Sequence, residues 1–301
     1  MSRTAVLLMA YGTPERLDQV AAYYTHIRRG RPPSAEALAE LVERYRTVGG
    51  PTALGRITRA QAEGLEAELA RRGAAIPVHV GFKHVPPFIG DTVRAMGEQG
   101  VTRAIGLVLA PHYSLRSVAE YAAYAEEARP PSMMIDVIPS WHDDPALVAA
   151  LASRLARARL AEGDALVLFT AHSIPMAAVE RGDPYPEQLM ETARLVAERA
   201  GVERWGFAWQ SAGRTEERWL GPDVSEAIAE AGARGERGVV VQAIGFVADH
   251  LEVLYDLDVE ARDAAKARGM AFVRVPMPNA DPDFLAALAD VVESRLAART
   301  A

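Results

Sequence analysis

The chain has 301 residues, half of them hydrophobic, and 33 lysines and arginines stand against 40 aspartates and glutamates for a net charge of −7. That length and apolar share suffice for one large or two moderate domains, while the acidic balance gives no footing for nucleic acid. The absence of cysteine excludes disulfides, thiolate zinc sites and cysteine-ligated iron–sulfur clusters.

The first expected element is a strand at 5–9, inside the N-terminal run MSRTAVLLMAYGTPE. This run lacks a signal peptide's cleavage region and is followed by Gly and Pro punctuation, so it reads as structure rather than a leader and implies a cytoplasmic chain. A helix is expected at 57–72, then strands at 78–82, 104–110 and 134–138. Helix 145–160 leads to strand 165–170, helix 186–199 to strand 205–209, and helix 222–233 to strand 238–243, with a last strand at 271–275. Strand and helix alternate throughout, which implies parallel sheets covered by helices. Runs such as LVLF and GVVV are continuously apolar, as strands buried on both faces must be. No run reaches the ~18 unbroken apolar residues of a membrane span, so no membrane insertion is expected. Pro130–Pro131 is the one segment that resembles a linker.

A weak internal repeat organises these elements. AVLLMAYGTP and ALVLFTAHSIP are each an apolar strand running into a small-residue turn closed by proline, and overlaying them puts Tyr11 opposite His172. Four strands follow from each starting point. The expected fold is therefore α/β: two similar Rossmann-like domains, residues 1–140 and 141–301, each with a four-stranded parallel sheet flanked by helices. A cleft is expected between them, and the last helix is expected to pack back on the first domain.

The segment GFVADHLEVLYD follows the 238–243 strand and places Asp249, His250, Glu252 and Asp256 close together. On a helix Glu252, Asp256 and Glu260 are spaced four apart and share one face. A solvated acidic face is the plain alternative, but carboxyl ends of strands in open α/β sheets are where ligands bind. His172 lies at the end of another such strand, where a structural histidine bonded to backbone is the plain alternative. An imidazole and a carboxylate converging on one cleft bind a borderline divalent metal or shuttle protons. Two ligands are too few for a closed structural site and suit a metal that is handed on. His84 and Lys83 are expected to line the cleft. His112 is expected to be structural or pocket-lining, His250 structural, and His26, His79 and His142 ordinary surface or packing residues.

AHSIP with DPYP, WQSAGRT, WLGPDV and GFVADHLEVLYD together resemble the ferrochelatase family. So do MAYGTP, YYTHIRRGRPP, FKHVPPFI, LAPHYS and MPNADPDF, all in order from about Val6 to the last helix. The resemblance implies the two-domain chelatase fold with a porphyrin cleft, insertion of Fe²⁺ as a substrate, and no organic cofactor. Carried over by position, His172 is the family's active-site histidine and Glu252 the acid facing it, both able to hold Fe²⁺. Tyr11 corresponds to a tyrosine that reaches the metal from the opposite face and is axial to product iron. Arg28, Arg44, Tyr45 and Tyr121 match propionate-holding positions, and Thr52 stands where relatives often carry serine. Asp256 and Glu260 match an outer metal site, which would also accept Mg²⁺.

YYTHIRRGRPP further resembles the soluble branch that acts on coproporphyrin III, whose four propionates suit the polar set above better than two would. The function implied is conversion of coproporphyrin III to coproheme in haem biosynthesis, by a monomer in transient contact with neighbouring pathway enzymes. Protoporphyrin IX is the alternative substrate. A sirohydrochlorin cobalt or nickel chelatase and a non-catalytic haem carrier using Tyr11 are more distant alternatives.

Overall fold

Two parallel sheets of identical strand order carry the chain. The structure is a computed structural model that describes residues 3–162, 165–213 and 215–298, the side chains of 159–162 excepted. In the first half, β1 (Thr4–Ala10) leads through α1 (Val20–Ile27), α2 (Ala35–Thr47) and α3 (Leu54–Arg71) to β2 (Val78–Phe82). Then come α4 (Ile89–Glu98), β3 (Arg103–Val108), α5 (Val118–Glu127) and β4 (Met134–Val137). The second half runs α6 (Pro145–Glu162), β5 (Leu166–His172), α7 (Met176–Val179), α8 (Tyr185–Arg199), β6 (Trp205–Gln210), α9 (Val224–Ala233) and β7 (Gly238–Ala243). It finishes with a π-helix (Val253–Ala261), α10 (Arg262–Ala267), β8 (Ala271–Arg274) and α11 (Pro282–Ala297).

The sheets are ordered β2-β1-β3-β4 and β6-β5-β7-β8, all pairings parallel, so the repeat in the sequence is a repeat in space. Central strands are the most apolar because both faces are covered: β7, GVVVQA, is buried at every position. Helix ends follow the local chemistry. The Ser34 hydroxyl accepts the Ala37 N–H at the start of α2, whose first turn carries Glu36 and whose last carries Arg44 and Arg46. Asp223 and Glu226 form a reciprocal capping box on α9, which therefore starts after Pro222 rather than at it.

One hydrophobic core spans both halves. Val6, Leu8 and Ile105 of the first sheet, Leu65 and Leu69 of α3, Leu151 of α6 and Val167 and Phe169 of β5 belong to a single buried cluster with Phe284, Leu288 and Val292 of α11. Helix α11 thus returns to contact α3 and β3 as well as α6. Its polar face is clamped to α6, β4 and the end of α3: Arg154 donates to Asp283 at 2.7 Å and Asp281 at 2.6 Å, Arg295 to Asp136 at 2.6 Å, and Arg72 to Glu293 at 2.9 Å.

Three local expectations change. Pro130–Pro131 connects α5 to β4 inside the first sheet's chain path, so it is not a linker between halves. Strand β5 extends to His172 itself, which pairs in register with Gln210. The acid-bearing segment winds as a π-helix, a rare form found mostly at functional sites. No described helix is long and apolar enough to cross a membrane.

Candidate active site

In each sheet the chain reverses direction across the central pair, β1/β3 and β5/β7, and the crevice outside the carboxyl ends of such a pair is where open α/β sheets bind ligands. Tyr11 leaves β1, and His172 closes β5. The segment leading to Glu252 leaves β7. Two glycines permit the close approaches at these exits. Gly12 (φ +86) carries the chain past Phe82 and Val85, where a Cβ would meet Val85 at 2.5 Å. At Gly245 a Cβ would meet Ala171 at 2.5 Å, so only glycine lets the β7 exit fold over the end of β5.

His172 Nδ1 lies 2.5 Å from the Ser173 carbonyl oxygen. A carbonyl only accepts, so Nδ1 carries the hydrogen, and it is Nε2 that faces the cleft, an acceptor whenever the ring is neutral. That nitrogen stands 3.7 Å from Glu252 Oε1, with the two side chains 35% and 42% exposed. Two acceptors facing each other at this distance are satisfied by a shared proton or by a cation between them. Trp219 lines the same wall, its ring 6.4 Å from the imidazole. His250 plays the structural part expected of it. Burial lowers its pKa, and the neutral Nδ1 accepts the N–H of Glu252 at 3.1 Å and of Val253 at 3.4 Å.

The acidic row is not the outward-stepping line that its spacing suggests. Glu260 is exposed, but Asp256 is only 3% exposed. Val253, Leu257 and Ala261 pack into the second sheet's core and draw the helix inward with Asp256 beside them. Burial foremost, then the charges of Glu252 and Glu260, push the Asp256 carboxyl up to about 7, against the lowering effects of Ser211 and Arg44. Ser211 Oγ donates to Asp256 Oδ2, and Arg44 Nη1 lies 3.9 Å from Oδ1. Arg44 belongs to α2 and also lies over the Tyr255 ring at 4.7 Å, so it reaches from the first half onto the π-helix.

The opposite wall is aromatic. Tyr11 is 41% exposed, with its ring 4.5 Å from His84 and 6.5 Å from Tyr23. Its phenol pKa is raised by the groups packed around the ring foremost and then by nearby charges, Glu252 first among them. Tyr45 is buried, its hydroxyl 3.2 Å from Thr13 Oγ1, which lies 3.4 Å from Thr52 Oγ1. Burial foremost pushes the Tyr45 phenol up to about 12. Lys83 Nζ donates to Glu120 at 2.7 Å and sits 5.1 Å over Tyr121 and 5.9 Å over Tyr11. Arg28 stands apart at the exposed end of α1, 5.8 Å over the Tyr24 ring.

The structure therefore brings together His172, Glu252 and, less openly, Asp256, with Tyr11, Tyr45, Thr52 and Tyr121 on the first half and Arg44 reaching over. His26, expected as an ordinary residue, bonds His84 Nδ1 to Nδ1 at 3.0 Å, and burial above all lowers His84 to about 3. His112 is buried against Thr192 at 2.9 Å, away from the crevice chemistry. Gln210 and Ser211 were not singled out from the sequence. Their position at the carboxyl end of β6, inside WQSAGRT, was the available signal; Arg214 of that motif lies outside the described residues. Among the described residues no three His, Cys, Asp or Glu side chains converge as a metal cage.

Comparison with known proteins places the chain in a family. A family profile described as Ferrochelatase matches residues 3–296. The chain is 47% identical to the Ferrochelatase of Thermus thermophilus, covering 96% of this chain and 98% of the relative. It is 42% identical to the Coproporphyrin III ferrochelatase of Geobacillus sp. strain WCH70 and 41% to that of Bacillus subtilis strain 168, each over 98% of both chains. Among solved structures, SirB from Bacillus subtilis with Fe³⁺ superposes with a TM-score of 0.62 at 15% identity, covering 97% of this chain and 95% of that one. CbiX, the terminal enzyme for siroheme biosynthesis in denitrifying bacteria, gives 0.58 at 14%, covering 96% and 98%; both show the fold alone. The two matched four-stranded sheets, the crevice at their switch points and the full-length sequence match together establish that this chain belongs to the ferrochelatase family.

Proposed function

We propose that the chain inserts Fe²⁺ into free-base coproporphyrin III, forming coproheme and releasing two protons. The observation that carries this is His172 Nε2 held 3.7 Å from the Glu252 carboxylate, in a crevice where exposed Tyr11 stands at the end of β1. A free-base porphyrin has two pyrrole N–H groups to lose and lone pairs that point into the ring plane. Bending the ring exposes those lone pairs, and contacts at the ring edge supply the energy for that strain. His172 Nε2 accepts a pyrrole proton; Glu252, sharing the proton or holding the ion, passes it outward. Tyr11 stands where it meets the metal from the opposite face.

Four carboxylates on the substrate suit Arg44 and Thr52 beside the crevice, with Arg28 reaching the ring edge from the exposed end of α1 and Tyr45 and Tyr121 buried behind. Several relatives above 40% identity carry the name coproporphyrin III ferrochelatase, which supports the same choice over protoporphyrin IX. Exposed Glu260 assists delivery of Fe²⁺ as flanking negative charge, with buried Asp256 behind it. A resident Mg²⁺ does not fit: Asp256 already accepts from Ser211 and faces the Arg44 guanidinium, which a hard dication would have to displace.

The test is an anaerobic assay of coproporphyrin III and protoporphyrin IX side by side. The free-base spectrum should disappear only when Fe²⁺ is added, and faster for coproporphyrin III. Binding of porphyrin without any turnover would support a haem carrier instead, and preference for protoporphyrin IX would overturn the substrate assignment.

A further inference from the structure

We propose that Gln210 is a positioning residue that sets the spacing of His172 and Glu252, and thereby which divalent ion the pair accepts. The inference rests on the reading of His172 and Glu252 given above, and it concerns a residue buried behind them.

Gln210 ends β6 and is 1% exposed. Its carboxamide joins two strand exits. Nε2 donates to the main-chain carbonyl of Glu252 at 3.3 Å, and Oε1 accepts from the Thr170 hydroxyl at 3.0 Å. The Glu252 carbonyl can only accept, so the amide orientation is forced: nitrogen toward Glu252, oxygen toward Thr170. The Gln210 main-chain carbonyl accepts the Ser173 N–H at 2.8 Å. Ser173 is the residue whose own carbonyl fixes His172 Nδ1. Through its backbone Gln210 therefore holds the peptide that orients the imidazole, and through its side chain it holds the backbone that bears the carboxylate. Thr170 completes the frame, since its carbonyl accepts Ile244 N at 2.9 Å and Gly245 N at 3.3 Å, tying β5 to the exit of β7.

The next residue extends the tether. Ser211 adopts φ +58, a conformation costly for a non-glycine residue, and in it donates to Asp256. Consecutive residues of one strand exit thus grip the acidic row at Glu252 and at Asp256, one helical turn apart. A buried carboxamide with both ends satisfied is rigid in a way that a packed methylene chain is not. That rigidity matters here because His172 and Glu252 are themselves half-open to the cleft.

The experiment compares Gln210→Met, which keeps the length and removes both bonds, with Thr170→Val, which only frees the amide oxygen. Steady-state insertion of Fe²⁺ and Zn²⁺ is measured with coproporphyrin III, together with Co²⁺ titration of the porphyrin-free protein by visible absorption. A positioning role predicts that kcat falls ~10- to ~100-fold in Gln210→Met and less in Thr170→Val, with porphyrin KM within about twofold and the Zn²⁺-to-Fe²⁺ ratio moved by about threefold or more. Co²⁺ binding should weaken in the same order. Wild-type kcat and metal ratio in folded Gln210→Met would overturn the proposal, as would a fall in kcat matched by a rise in porphyrin KM at constant ratio. Should Gln210→Met fail to fold, Thr170→Val decides on the same readouts. If the wild type inserts no metal, the reading of the reaction fails. The Co²⁺ titration still decides the positioning role, which an unchanged affinity in the variants would overturn.

Discussion

Replacing Asp256 with asparagine should stabilise the metal-free protein, by an amount that grows with pH. The carboxyl is 3% exposed and held up to about 7 from an ordinary 3.8, with burial the largest cause. An acid whose folded pKa lies above its unfolded one favours the folded state most below the unfolded value, and that advantage is lost as pH rises through the folded value. Between 3.8 and about 7 the loss accumulates at ~1.4 kcal/mol per pH unit, an upper bound of ~4 kcal/mol. Asparagine keeps an oxygen for the Ser211 hydroxyl and has no proton to lose. Urea unfolding of wild type and Asp256→Asn in EDTA, at half-unit steps from pH 5 to pH 8, isolates this contribution because other titrating groups cancel in the difference. The stability gap should widen by ~2–3 kcal/mol from pH 5 to about pH 7 and then level off. A gap that is constant across the range, or one that narrows as pH rises, would refute the argument and return Asp256 to the solvated role that its spacing first suggests.

His172→Ala should lower kcat for Fe²⁺ by ~10²–10⁴-fold, with porphyrin binding, measured by fluorescence quenching, within a few-fold of wild type. Glu252→Gln should depress kcat at every metal concentration, whereas exposed Glu260→Gln should raise the apparent KM for Fe²⁺ and keep kcat at saturation; kinetics at varied metal separate the two. Arg28→Ala should raise KM for coproporphyrin III more than it lowers kcat, read from initial rates against porphyrin concentration. Phe284→Ala, at the centre of the core shared by the two sheets, should cost ~3–5 kcal/mol in denaturant unfolding.

Much of the fold is a local property of this sequence. Continuous apolar runs such as GVVV and LVLF specify doubly covered strands because every residue of a central parallel strand is buried. The paired starts AVLLMAYGTP and ALVLFTAHSIP specify a repeat, and the strand orders of the two sheets match accordingly. His172 and Glu252 are legible for the same reason, since each follows an apolar strand and strand ends in such sheets face the crevice. What the tertiary structure decided is the state of the groups around them. A spacing of four places Asp256 beside Glu252 on any helix, but only the packing of Val253, Leu257 and Ala261 under the second sheet buries it and moves its proton. Arg44 is matched to a propionate-holding position by resemblance, but only folding carries it over Tyr255 on the other half. Gln210 has only its place at the end of β6, inside WQSAGRT, to announce it, because its partners Thr170 and Glu252 are 40 and 42 residues away. Periodicity records which face of an element is covered, and burial, charge and hydrogen bonding at a site depend on which distant element does the covering.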